Sequence, residues 1–197
     1  MILALLLALA SGPPAQLERL AAALRGAPAW QADFVQSYTS VGFAAATVDR
    51  GTVVVAPPAR LRFEYSSGNH RVFAVDTIVA RLVDYTGRTC DAVRLDESAW
   101  ARLPLAAILD ASAAERAFAV EATGRTLTML PRQPTADLSE LVVTVDEKDL
   151  PARVTVIDAS GNRNEFALSR WRAVPAPPEA AFRPALPGEA PCAPEEP

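Results

Sequence analysis

Few residues in this chain are of types that do chemistry. His70 is the only histidine. It ends the stretch Ser67-Gly68-Asn69-His70, whose turn-forming residues predict a solvent-exposed loop between two strands, a poor setting for a general base. Asp146, Glu147 and Asp149 are close enough to suggest a carboxylate site. Beside Lys148 and Pro151 they read instead as a solvated, charged turn between strands. Cys90 and Cys192 are the only cysteines, and neither has the C-x-x-C partner that a redox or zinc site needs. In an oxidising compartment they could bridge and fasten the Pro-rich tail to the body. The sequence leaves open whether they do. Nucleophile elbow, P-loop, G-x-G-x-x-G and H-E-x-x-H patterns are missing from the chain. The expectation is a protein that is not an enzyme and takes no cofactor and no metal.

The apolar residues are arranged with more order. From Ala59 the chain alternates, with Leu61, Phe63 and Tyr65 on one side and Arg60, Arg62 and Glu64 on the other. Val53 and Val55 keep that parity before the Ala56-Pro57-Pro58 break, and Phe73 and Val75 resume it afterwards. Successive side chains of a strand point to opposite faces, so this is a hairpin with one apolar and one polar face. Periodicity cannot tell whether the apolar face meets a packed core or a ligand that comes and goes.

The chain has 197 residues, half of them hydrophobic and 21% charged, with a net charge of −4. That is enough for one domain with a sizeable core. Lys148 is the only lysine and the arginines are scattered, so the basic cluster that nucleic acid demands is lacking. The run Ile2 to Ala10 is too short to cross a bilayer, which takes roughly 20 apolar residues. It has the length of a secretory h-region, with Ala8-Leu9-Ala10 as the cleavage site, and predicts export. No Cys follows it, so a lipid-anchored N-terminus is not expected. The predicted divisions are a leader and linker over 1–15, one domain over 16–188 and a Pro-rich tail over 189–197.

Leu17, Leu20, Ala21 and Leu24 recur at helical spacing within Gln16 to Gly26, and Gly26 with Pro28 ends that helix. Trp30 to Tyr38 leads into the first strand. Ile78 to Asp84 and Cys90 to Leu95 follow as strands around Thr86-Gly87. Asp96 to Phe118 is Ala-rich and broken at Pro104, which predicts two short helices. Leu105, Ile108 and Leu109 share one stripe, and Ser112 to Glu115 has capping-box spacing. Strands resume at Arg125 to Leu130, Glu140 to Asp146, Arg153 to Asp158 and Glu165 to Trp171. The fold class is mainly β: one large antiparallel sheet of about eight or more strands, which must twist and curl, with short apolar helices covering its inner face.

Several stretches, taken in order, resemble the LolA family of periplasmic lipoprotein carriers. "WQADFVQSYTS" has the family's aromatic-x-x-x-Phe-x-Gln pattern at Trp30, Phe34 and Gln36. "DRGTVVVAPPARLRFEY" is similar to its hairpin, "PLAAILD" to its lid helix, and "VDEKDLPARVTVIDASGNRNEFALSRWR" with "AAFRPALPGE" to its C-terminal meander. The resemblance spans residue 17 to about 188. It implies a half-barrel with an apolar cavity lined by Phe34, Val53, Val55, Leu61, Phe63, Tyr65, Phe73 and Val75, with Leu20, Ile108 and Leu109 from the lid. It also implies a periplasmic monomer that carries acyl chains of lipoproteins or other lipids, or alternatively a lipid-sensing regulatory binding module of the same fold. Its partners would be an inner-membrane releasing complex and an outer-membrane acceptor, with no nucleic acid. The pattern departs from the family in two places. Pro57 stands where many members have an Arg tying sheet to lid. Asp76-Thr77 replaces an Asp-Gly turn, and Thr's aversion to positive φ predicts a turn of another type.

Overall fold

The computed structural model describes residues 14–95, 108–133 and 135–194. The expected leader run, the mid-chain helix around Pro104 and Leu105, and the last three residues lie outside the described residues.

Alternation governs the strands, which run as β1 (Ala29–Thr39), β2 (Thr47–Ala56), β3 (Arg60–Tyr65), β4 (Arg71–Asp76), β5 (Val79–Asp84) and β6 (Thr89–Arg94). Further along the chain come β7 (Phe118–Thr123), β8 (Thr126–Pro131), β9 (Glu140–Val145), β10 (Pro151–Ile157) and β11 (Arg163–Val174). Among the described residues these form one antiparallel sheet in the order β6-β5-β4-β3-β2-β1-β11-β10-β9-β8-β7. Two meanders meet where β1 pairs with β11, Phe34 opposite Leu168 and Tyr38 opposite Asn164. The end strands β6 and β7 do not pair with each other, so the sheet is an unclosed half-barrel, mainly β as expected.

Helix α1 (Ala15–Arg25) lays Leu17, Leu20, Ala21 and Leu24 on the sheet's inner face, and all four are buried. A second helix, α2 (Ala111–Ala117), adds Ala111 and Ala114. The tail crosses the outer face. There the 3-10 turn Glu179–Phe182 buries Phe182 against Ala29 and Ala56, and Cys192 is disulfide-bonded to Cys90 on β6.

Several expectations need correcting. Trp30 to Tyr38 does not lead into the first strand but is the body of it. The expectation of about eight or more strands holds, with eleven seen, though not every one of them was foreseen. One not foreseen is β7, because the helix ends at Ala117 and Phe118 is already extended, with φ −127° and ψ 150°. Ala-rich composition hid this, and pairing with β8, Phe118 opposite Pro131, decides it. The box from Ser112 to Glu115 does not cap α2. Asp110 does, its carboxylate accepting from the N–H groups of Ser112 and Ala113 at 3.0 Å each. Thr77 does take positive φ, at 69°. Ile78 N donates to Asp76 O across it at 2.7 Å, giving a tight turn of a strained type. The β4–β5 ladder, with Val75 opposite Ala80, holds the turn closed.

Candidate functional site

The interior beneath α1 begins from one glycine. Gly51 on β2 sits opposite Phe34 on β1. A Cβ at this position would lie 2.8 Å from the Phe34 ring and 1.9 Å from the carbonyl oxygen of Glu64. Its absence lets the buried ring lie against the sheet and gather other aromatics. Phe34 meets Phe63 edge-on at 5.2 Å between centroids and Tyr65 at 5.1 Å. Phe166 on β11 lies 5.4 Å from Phe63 and 6.2 Å from Phe34. Such T-shaped and tilted contacts are the arrangements that aromatic quadrupoles favour.

The rest of the face follows by register. Val53 pairs with Phe63 and Val55 with Leu61, while Leu61 pairs with Val75 and Phe63 with Phe73. Val53, Val55, Leu61, Phe63 and Val75 are buried, and Tyr65 and Phe73 are half-buried. Leu20 of α1 and the buried pair Ile108 and Leu109 close over them. All eleven residues singled out in the sequence therefore share one apolar interior. The sequence reading did not count Phe166 among them, nor Phe118, Leu127 and Met129 from the opposite limb. Phe166 was legible from its phase with Leu168. Phe118 was not, because it lay in an apparent helix.

Polar groups edge this interior at one end. Arg71 donates to Asp49 at 3.0 Å and lies 4.8 Å over the Tyr65 ring. Burial pushes the Tyr65 hydroxyl up to about 12; Arg71 opposes that rise and Asp49 adds to it. Next along β1 towards the same end, Gln36 donates to Asn164 on β11 at 2.8 Å.

Among the described residues, polar ties between α1 and the rest of the fold are few. Trp30 Nε1 donates to Leu24 O at 3.0 Å, and Gln16 Nε2 donates to Asp149 Oδ1 at 2.9 Å. Asp149 thus does more than the solvated turn foreseen for it, since Arg19 also stands 3.5 Å away. Within the lid, Arg25 at the end of α1 donates to Leu109 O at 3.4 Å.

The other candidates for chemistry are accounted for. His70 is exposed, stacked on Tyr85 at 4.6 Å and 3.4 Å from Glu64. Asp146 accepts from the N–H groups of Lys148 and Leu150, which closes its own turn. Among the described residues no cluster of three His, Cys, Asp or Glu side chains is placed to hold a metal. On the outer face an open cleft of about 710 Å³ runs past Arg60, Asp76, Thr77, Arg81 and Arg183. Its buried Asp76 bridges Arg81 at 3.1 Å and Arg183 at 2.6 Å, and Arg81 also donates to Cys192 O at 3.0 Å. These bonds stitch the tail to the sheet.

Residues 25–185 match the family model described as outer membrane lipoprotein carrier protein LolA. No curated protein matches the sequence. The fold is similar to that of an uncharacterised conserved protein from Thermus thermophilus, with a TM-score of 0.53 at 13% identity, covering 89% of this chain and 94% of that one. A LolA superfamily protein from Nitrosomonas europaea is also similar, with a TM-score of 0.49 at 11% identity and coverages of 88% and 98%. So is a chain of the MucA/MucB complex of Pseudomonas aeruginosa, with a TM-score of 0.49 at 17% identity and coverages of 86% and 60%.

Proposed function

Because this chain belongs to the LolA family of outer membrane lipoprotein carriers, we propose that it is an exported, periplasmic carrier that shields acyl chains of lipoproteins inside the half-barrel. It passes them, without chemical change, from an inner-membrane releasing complex to an outer-membrane acceptor. It works as a monomer. The observation that carries this reading is the single apolar interior shared by β1–β4, α1 and the Ile108–Leu109 segment, with the Phe34, Phe63, Tyr65 and Phe166 rings at one end.

Sequestering an acyl chain from water gains about 0.8 kcal/mol per CH₂, so a sixteen-carbon chain represents roughly 12 kcal/mol. Release into water would be prohibitively slow, so the carrier must hand the chain directly to another apolar site. It must also hold its cargo less tightly than the acceptor does. A lid joined to the sheet by its leucines and a few hydrogen bonds meets both needs, because opening it exposes apolar surface that the cargo then covers. Binding then favours the open state, and closure of the empty protein weakens the grip.

Native mass spectrometry of the protein purified from a periplasmic extract tests the proposal. Acylated peptide or lipid should co-purify. Phe63→Glu should abolish that uptake while the circular dichroism of the sheet persists. A native protein that stays empty even when offered acylated peptide in detergent would refute the carrier reading.

A further inference from the structure

The exposed apolar side chains of the described residues are not evenly spread. Half of the large ones lie at the β1–β2 hairpin tip: Phe43 is 72% exposed, Val41 58%, Val48 44% and Tyr38 41%. The run Ser40-Val41-Gly42-Phe43-Ala44-Ala45-Ala46-Thr47 holds no charged residue. Scattered surface apolar residues need no explanation, but a contiguous patch signals something that covers it.

The tip is a built feature. Phe43 N donates to Ser40 O at 3.1 Å across Gly42, whose φ of 84° suits glycine. Val41 N donates to Asn162 Oδ1 at 3.0 Å, which ties the tip to the β10–β11 turn. A Cβ on Gly161 would come within 3.0 Å of the Val41 side chain, so glycine admits that contact. Asp158 is caged by the N–H groups of Ser160 and Asn162 and by the Asn162 side chain. These bonds hold Phe43 out in water when a slacker loop would let it fold back.

The shape of the patch identifies the occupant. By strand parity Tyr38 belongs to the inner face with Phe34 and Gln36, and Val48 belongs to the outer face. A groove on a partner protein, or on a second copy, would receive one face of a hairpin. A patch that wraps both faces and the apex suits a medium that surrounds it. The tip also stands at the aromatic end of the interior, up β1 from Phe34 past Gln36 and Tyr38. We propose that the β1–β2 tip inserts into the interfacial layer of a lipid bilayer, with Phe43 and Val41 as the wedge. Insertion stops at interfacial depth, because hydrocarbon cannot satisfy the remaining backbone N–H and C=O groups of the loop. The bases and acids around the tip are mixed: Arg50, Arg153 and Arg163 stand among Asp49, Asp158 and Glu165, and Arg153 and Arg163 both pair with Glu165. The attachment is therefore apolar and requires no anionic lipid.

Co-sedimentation with phosphatidylcholine vesicles at low and high salt tests this. The folded protein should partition onto them, and high salt should leave the partition in place. Phe43→Ser should lower it by about tenfold or more, and Phe43→Leu should keep most of it. Absence of binding, its loss at high salt, or a Phe43→Ser variant that binds like the native protein would overturn the proposal. So would a dimer that Phe43→Ser dissolves without any vesicle binding. The idea does not rest on what the interior carries. A protein that loads acyl chains in solution yet ignores vesicles refutes it and leaves the carrier reading standing.

Discussion

At the residue scale, the half-buried Tyr65 marks where the apolar interior turns polar. Its hydroxyl is pushed up to about 12, mainly by burial, against an unfolded value near 10. Between those values the folded protein keeps a proton that the unfolded chain has lost. Stability therefore falls as pH rises from about 10 towards 12, and the contribution is intact below about 10. Denaturant titrations across this alkaline range should show a decline for the native protein that is shallower in Tyr65→Phe. Equal slopes would mean that Tyr65 is not the group responsible. Neighbouring Glu64 runs the other way: burial raises its pKa, but Arg62 and His70 together outweigh that and leave it lowered.

At the scale of elements, the tail is a fastened strap. It covers the outer face of the hairpin strands with Phe182, and Arg60 stands 5.2 Å over that ring. Arg62 donates to Ala181 O at 2.8 Å. The disulfide closes the strap over a separation of 102 residues. In the chain-entropy model, cross-linking a loop of about that length is worth on the order of 4 kcal/mol. The double variant Cys90→Ser, Cys192→Ser should lose about that much stability in denaturant, and reductant should no longer affect it. A loss well under about 1 kcal/mol would show that the packing of Phe182 and the Asp76 ion pairs hold the strap unaided.

At the scale of the whole molecule, two kinds of attachment coexist. The strands are bound by continuous hydrogen-bonded ladders from β6 to β7. The lid rests on apolar contact and on ties such as Trp30 to Leu24 and Gln16 to Asp149. Local opening should therefore begin at the lid. Hydrogen exchange should find the amides of α1 less protected than those of β1 and β11, and loading with a fatty acid should lower α1 protection further. Helix amides as slow as those of β1, or protection that rises on loading, would deny the lid its proposed motion.

Much of this was written in the chain's local order. Alternation at Leu61, Phe63 and Tyr65 set which side chains face inward, because a strand's period of two leaves no other choice. Spacing at Leu17, Leu20 and Leu24 set the face of α1 in the same way. Local order could not place Phe166 beside Phe34, since the β1–β11 pairing joins segments far apart in the chain. Nor could it end α2 at Ala117, where the free edge of β8 outbids helical propensity, or force Thr77 into a conformation its side chain resists. It was silent on the meeting of Cys90 and Cys192, which depends on the path of the tail across the outer face. Short-range periodicity follows from backbone geometry and is carried by each segment alone. Pairing, strain and closure are collective, and they are decided only when distant segments meet.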